Sequence, residues 1–191
     1  GYIRCATFEY GLGSGNLNEI LAYFLTSRGL IIDIRNNGGG MISSAEELAA
    51  RFTNDDILVG YFQHKTGRGH NDFSAMKEQW LHPSRGLRWQ KPVVVLTNRG
   101  VYSAANEFVK YMKCCPNVKI VGDTTGGGAG LPFSSELPNG WSVRFSACPI
   151  YDKDGQSTEF GIPPDVHAGL NRFDFFSGID TIIEQARKIL K

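Results

Sequence analysis

Lys91-Pro92-Val93-Val94-Val95-Leu96-Thr97-Asn98-Arg99-Gly100-Val101-Tyr102-Ser103 is the stretch on which the fold of this chain turns. Val93 to Leu96 is an unbroken apolar run, short and rich in β-branched residues, so it reads as a strand covered on both faces. Strands of that kind belong to parallel sheets held between helices. Asn98-Arg99-Gly100 then turns the chain, and residues 103–113 have helical composition, which makes the unit strand, tight turn, helix.

Outward from this stretch the same unit recurs. Leu30-Ile31-Ile32-Asp33-Ile34 is a second nearly continuous apolar run, followed by Asn36-Asn37-Gly38-Gly39-Gly40. Ser44, with Glu47 three positions on, predicts a capping box opening a helix that runs to about residue 52. Residues 118–121 form another strand, closed by Gly126-Gly127-Gly128-Ala129-Gly130. Ahead of these, residues 2–8 read as a first strand, and Leu17, Ile20, Leu21 and Phe24 recur at helical spacing through Arg28. Residues 57–62 read as a strand, whereas 63–90 are polar, rich in Gly, His and Trp, and without a period, which suggests an excursion or lid. Pro138-Asn139-Gly140 is a turn, and Trp141, Val143, Phe145 and Ala147 alternate after it, so a β-hairpin is expected there. Ile179, Ile182, Ile183, Ala186 and Ile189 share one face of a closing helix. The alternation defines an α/β fold with a mostly parallel sheet and flanking helices.

Composition sets the outer bounds. A chain of 191 residues that is 41% hydrophobic supports one core, so residues 1–191 are expected to be a single domain. Opening directly into a strand, that domain reads as one excised from a longer chain. With 20 basic and 19 acidic residues the net charge is +1, which offers no global attraction to nucleic acid or an anionic membrane. No apolar run approaches the roughly 18 residues of a transmembrane segment. Cys5, Cys114, Cys115 and Cys148 show no zinc-ligand spacing, so no metal site is expected, and buried free thiols are the plain reading. Neither glycine cluster carries the Lys-Ser/Thr of a P-loop or G-x-G-x-x-G spacing, so no nucleotide cofactor is expected.

The residue placed for chemistry is Ser103. A serine at a strand-turn-helix corner is lifted out of the sheet, and the free N–H groups of the helix start favour negative charge beside it. The N–H of Ala104 is then a natural oxyanion donor. The plain alternative is an ordinary helix cap. Against that stands the company it keeps: both glycine clusters lie past the carboxyl ends of strands that converge on one crevice, where glycine lets backbone amides approach a substrate. Gly38, Gly39 and Gly127 are the candidate binding positions there.

Five segments in order carry a family resemblance. They are residues 30–40, residues 91–98 leading to Ser103-Ala104-Ala105-Asn106-Glu107, Val121-Gly122-Asp123-Thr124-Thr125-Gly126-Gly127, Glu136-Leu137-Pro138-Asn139-Gly140, and Gly161-Ile162-Pro163-Pro164-Asp165. Together they resemble the catalytic domain of the tail-specific, or C-terminal processing, serine proteases. The resemblance implies a crotonase/ClpP-like spiral, hydrolysis of extended polypeptides through an acyl-enzyme on Ser103, an oxyanion hole from Ala104 and a glycine of residues 38–40, and an envelope, periplasmic or extracellular setting. Gly128 stands where processing proteases carry their lysine base. Tricorn-like relatives instead use serine, histidine and glutamate; Glu159 resembles that glutamate, and the histidine of those relatives lies upstream of the core. Within the chain, His70, between Gly69 and Asn71 in the excursion, is the candidate base, and Lys110, two helical turns from Ser103, is taken as structural. Two other readings stay open: an inactive module binding a peptide or apolar ligand, and acyl-CoA chemistry of the crotonase type.

Overall fold

The computed structural model describes all 191 residues. In chain order the first elements are β1 (Tyr2–Arg4), α1 (Ser14–Tyr23), β2 (Leu30–Asp33), α2 (Ile42–Ala49), β3 (Ile57–Phe62) and β4 (Lys77–Leu81). There follow β5 (Val93–Thr97), α3 (Ala104–Cys114), β6 (Val118–Gly122), β7 (Phe133–Glu136), β8 (Ser142–Phe145), β9 (Ile150–Asp152), β10 (Val166–His167), α4 (Arg172–Phe176) and α5 (Thr181–Ile189).

The central sheet has the order β1-β2-β5-β6-β10, and every pairing in it is parallel. Period-two alternation explains why its middle strands are apolar throughout. Leu30, Ile32, Val93, Val95, Val118 and Ile120 face one layer, where Leu48, Ala105, Phe108, Val109 and Met112 of α2 and α3 pack on them. Ile31, Val94, Leu96 and Val121 face the other, against Ile182 and Ala186 of α5. Strands buried on both sides have no position at which a polar side chain is tolerated without a partner. Asp33 is the exception that obeys the rule: 1% exposed, it accepts hydrogen bonds from Tyr2 and Arg35 and pairs with Arg4. Burial alone would raise its carboxyl, but the Arg35 and Tyr2 hydrogen bonds outweigh that and hold it below its ordinary value. A three-stranded antiparallel sheet, β4-β3-β9, and the β7–β8 hairpin complete the domain. No helix is long and apolar enough to cross a membrane.

Four expectations are corrected. The capping box does not form: α2 starts at Ile42, two residues before Ser44, because the bridge between Phe8 and Gly40 fixes where the chain enters the helix. Ser44 is instead buried in the first turn, donating to the Tyr10 carbonyl and accepting from Leu12 N–H, and Glu47 pairs with Arg51. The first strand ends at Arg4, and only the Phe8 bridge continues it. The first helix closes at Tyr23, after which Leu25 and Ser27 donate to carbonyls three residues back as tighter turns. Within the excursion, Lys77–Leu81 is a strand paired with β3, invisible beforehand because only one of its five residues is buried. Residues 84–89 are pinned to the body through Ser84 N–H to Ala50 O, Trp89 N–H to Arg51 O and the buried Arg51 guanidinium. The four cysteines are free thiols, and burial pushes Cys115 up to about 12.

Candidate active site

The carboxyl ends of β2, β5 and β6 release three loops at one edge of the central sheet, and these loops are stitched together by backbone and amide hydrogen bonds. Asn36 and Asn98 bond reciprocally at 2.9 Å, Tyr102 N–H donates to Asn37 O, and Ser103 N–H donates to Gly127 O at 2.9 Å. Ser103 therefore sits between the two glycine loops, at the junction of the β5 turn and α3.

Its backbone is unusual. Ser103 has φ 55° and ψ −125°, a combination that side-chain-bearing residues rarely adopt. Although Ser103 occupies the N-cap position of α3, its side chain makes no capping hydrogen bond. The plain capping reading thus fails: the strain holds a hydroxyl away from the helix it precedes, half-exposed in a cleft of about 630 Å³. Glu9, Gly38, Gly40, Tyr102, Gly128 and Glu159 line that cleft with it, and Pro132, Arg144, Phe145 and Ser146 close its far side.

The N–H of Ala104, first residue of α3, has no partner within the chain. Gly39 approaches this corner so closely that a β-carbon there would stand 2.8 Å from Ser103 Cβ and 2.9 Å from Ala104 N. Glycine at 39 is required both by that approach and by φ 105°. Its own N–H, however, donates to Asn37 Oδ1 at 2.9 Å, so Gly39 is not the free donor of this loop. The unpartnered amides are those of Gly38 and Gly40, and both residues line the cleft. Asn37 is fully buried and also donates to Cys5 O, which braces the loop from below. Gly127 supports the corner through its carbonyl rather than lining the cleft.

Glu159 is brought to the same cleft by a buried lattice. Asn106, on the first turn of α3, accepts from Thr125 Oγ1 at 2.6 Å and donates to Thr158 O at 3.1 Å. Thr125 Oγ1 accepts from Ile162 N–H at 2.7 Å, and Gly128 N–H donates to Glu159 O at 2.9 Å. The carboxylate accepts a long hydrogen bond from Ser146 at 3.4 Å. Burial raises its pKa, and the Ser146 bond pulls it part of the way back. Nothing in the residue pattern announces this lattice, although Asn106 and Thr125 each stand in a segment that carries the family resemblance.

No histidine lines the cleft. His70 lies exposed in the 65–73 turn, its carbonyl 3.0 Å from Lys65 Nζ, so the excursion does not lay it over Ser103. His82 pairs with Asp56, and His64 stacks edge-on with Phe62. Lys110 is buried on α3 against Glu107 and Gln79, as a structural residue.

Gly128 lies under the ring of Tyr102. A β-carbon on Gly128 would stand 2.2 Å from Tyr102 Cζ, and Gly128 has φ 75°. The Tyr102 ring fills the space that a side chain at 128 would need. Gly128→Lys is expected to cost about 1 to 3 kcal/mol through backbone strain and overpacking. That is a fall of about 2 to 12 °C in melting temperature for a domain of this size. Adding Tyr102→Ala should recover part of the loss; thermal melts of the two variants check this.

A strained serine at a sheet-to-helix corner, flanked by unpartnered amides and a carboxylate, within a parallel α/β spiral, is the arrangement of a serine hydrolase. The model of peptidase family S41 matches residues 1–168, and the chain belongs to that family of serine-type peptidases. A solved structure from Parabacteroides merdae, described only as a candidate peptidase, is 52% identical and superposes with TM-score 0.96 over the whole of this chain and 60% of its own. The carboxy-terminal processing protease CtpA of Bacillus subtilis is 28% identical over 145 residues, 75% of this chain and 29% of that protein. The tricorn protease shares the fold, with TM-score 0.64 at 24% identity across all of this chain and 17% of the other. The chain thus spans less than two thirds of the length of these relatives.

Proposed function

We propose that this chain is the catalytic core of a peptidase that cleaves extended polypeptides, with Ser103 as nucleophile. The observation that carries the reading is a hydroxyl withheld from capping by a strained backbone and set beside the free N–H of Ala104. Ser103 Oγ adds to the scissile carbonyl carbon as its proton passes to a base. The carbonyl oxygen takes up the negative charge facing Ala104 N–H and an amide of Gly38 or Gly40. Collapse expels the amine, which leaves with a proton, and water then releases the acyl group from Ser103.

The base is a histidine supplied from outside these 191 residues, with Glu159 as its carboxylate partner. Two features support this reading: Glu159 shares the cleft with Ser103, and residue 128 is glycine, which carries no basic side chain. Extended substrate has an open strand edge to join, because the β7–β8 hairpin is only two strands wide and its second strand leads directly into the cleft wall.

The test is labelling of the full-length protein with a fluorophosphonate, followed by mass mapping of the adduct. A single adduct on Ser103 is expected. An adduct elsewhere, or labelling that persists unchanged in Ser103→Ala, overturns the assignment. Peptide retention with no adduct would favour the alternative of a binding module that does not turn over.

A further inference from the structure

The cleft carries two charges that neither the fold nor the chemistry at Ser103 uses. Arg144 on β8 and Glu9 after the first strand are both exposed, both line the cleft, and neither side chain pairs with another group in the chain.

Their placement relative to Ser103 follows from the chain of contacts across the site. Phe8 N–H donates to Gly39 O and Met41 N–H to Phe8 O, which seats Glu9 against the first glycine loop. That loop touches Ser103 at Gly39, and Ser103 N–H donates to Gly127 of the second loop. The second loop continues through Gly128 N–H to Glu159, whose carboxylate meets Ser146. Ser146 follows β8 directly, and Arg144, Phe145 and Ser146 all line the cleft. Ala147 and Cys148 N–H both donate to Gly130 O at 3.0 Å, which ties this end of the hairpin to the second loop. Along this chain of contacts the order is Glu9, first glycine loop, Ser103, second glycine loop, Arg144. In that order the two charges flank the nucleophile.

Glu159 lines the same cleft but forms no ion pair with Arg144. The Glu159 carboxylate is turned to Ser146, from which it accepts a hydrogen bond at 3.4 Å. Arg144 is the more exposed of the two. An arginine is suited to such a position, since its planar fork can take a carboxylate in two parallel hydrogen bonds.

We propose that the cleft selects peptides by charge on the two sides of Ser103, taking a carboxylate against Arg144 and a cationic side chain against Glu9. This rests on the reading of the cleft as a peptide site, but not on turnover. The carboxylate can come from an acidic side chain or from the substrate's own C-terminus.

The experiment uses the full-length protein carrying Ser103→Ala and measures binding of labelled peptides by anisotropy. Two C-terminally amidated peptides of one composition place Glu and Lys in opposite orders about a central Ala-Ala. One order should bind about five- to tenfold more tightly at low ionic strength, and the gap should shrink in about 0.5 M salt. Exchanging the charges, Glu9→Lys with Arg144→Glu, should invert the preference; both residues are exposed, so the fold is expected to survive. A charge-free pair, ending in a free carboxylate or an amide, separates the two sources: a gain for the free acid that is lost in Arg144→Glu assigns the carboxylate to the C-terminus. Equal binding of the two orders together with no such gain, or an order of preference that the exchange leaves unchanged, overturns the proposal. Because binding is read in an inactive variant, failure here is distinguishable from failure of the fluorophosphonate labelling, which addresses hydrolysis alone.

Discussion

Ser103→Gly is expected to abolish peptide hydrolysis while making the domain more stable than the wild type. Loss of a nucleophile of this kind lowers turnover by about 10⁴- to 10⁶-fold, since the residues of such a site act as a unit. The stability change has a separate origin. At φ 55° and ψ −125°, Ser103 holds a conformation open to glycine and costly to every residue with a β-carbon, by about 1 to 3 kcal/mol. Glycine removes that cost but loses about 0.5 to 1 kcal/mol in extra unfolded-state freedom. Little packing is lost, because Ser103 is only half-buried and its hydroxyl bonds to nothing in the chain. A net gain of about 1 kcal/mol, or about 2 to 4 °C in melting temperature, is the expected result. Ser103→Ala is the control: equally inactive, it keeps the β-carbon and the strain, and should melt close to the wild type. If Ser103→Gly melts no higher than Ser103→Ala, the strain account of this corner is wrong.

The largest loss of stability is expected from Lys110→Met. Lys110 Nζ lies 2.8 Å from Glu107 Oε2 and donates to Gln79 Oε1 at 2.7 Å, with side-chain exposures of 1% for Lys110 and 3% for Glu107. The ion pair is close but poorly aligned, and neither Glu107 oxygen has a well-directed hydrogen-bond donor. Burial and the nearby Glu107 charge hold the adjacent Tyr111 phenol well above its ordinary pKa. Glu107 is therefore dependent on the single cation beside it. Removing Lys110 leaves a carboxylate buried without a counter-charge, which costs about 3 to 5 kcal/mol. Chemical denaturation of the single variant should show that loss. The double variant Glu107→Leu with Lys110→Met should recover most of it, because an apolar pair of similar volume has no charge to desolvate. A double variant as unstable as the single would mean that Lys110 acts through packing or through Gln79, not through the charge on Glu107.

Ser103, just ahead of α3, and Lys110, within it, show how unevenly the site is legible in the sequence. Lys110 reads as structural from its distance of two turns, and its burial agrees, but its partner on β4 lies in a stretch with no periodicity at all. That strand is an edge whose residues are mostly exposed, and pairing with β3 is a long-range choice that local composition does not encode. The capping signal at Ser44 and Glu47 is locally sound and is overridden by the Phe8 to Gly40 bridge, which starts α2 earlier. His70 has the chemistry of a base but not the location, since its turn folds back on Lys65 rather than onto the sheet edge.

From the amino-acid order alone come the parallel α/β fold, the family, and Ser103 at the end of a buried strand. The fold and the place of Ser103 follow from local pattern, because a strand buried on both faces must be continuously apolar and a tight turn favours glycine, whereas the family follows from the resemblance of five segments in order. Tertiary structure alone decides that Gly39 directs its N–H to Asn37, that the Tyr102 ring lies against Gly128, and that Glu9 and Arg144 line one cleft. Such facts depend on groups far apart in the chain meeting at distances of a few ångströms, and hydrogen bonds and close packing are decided at that scale, where sequence spacing carries no information.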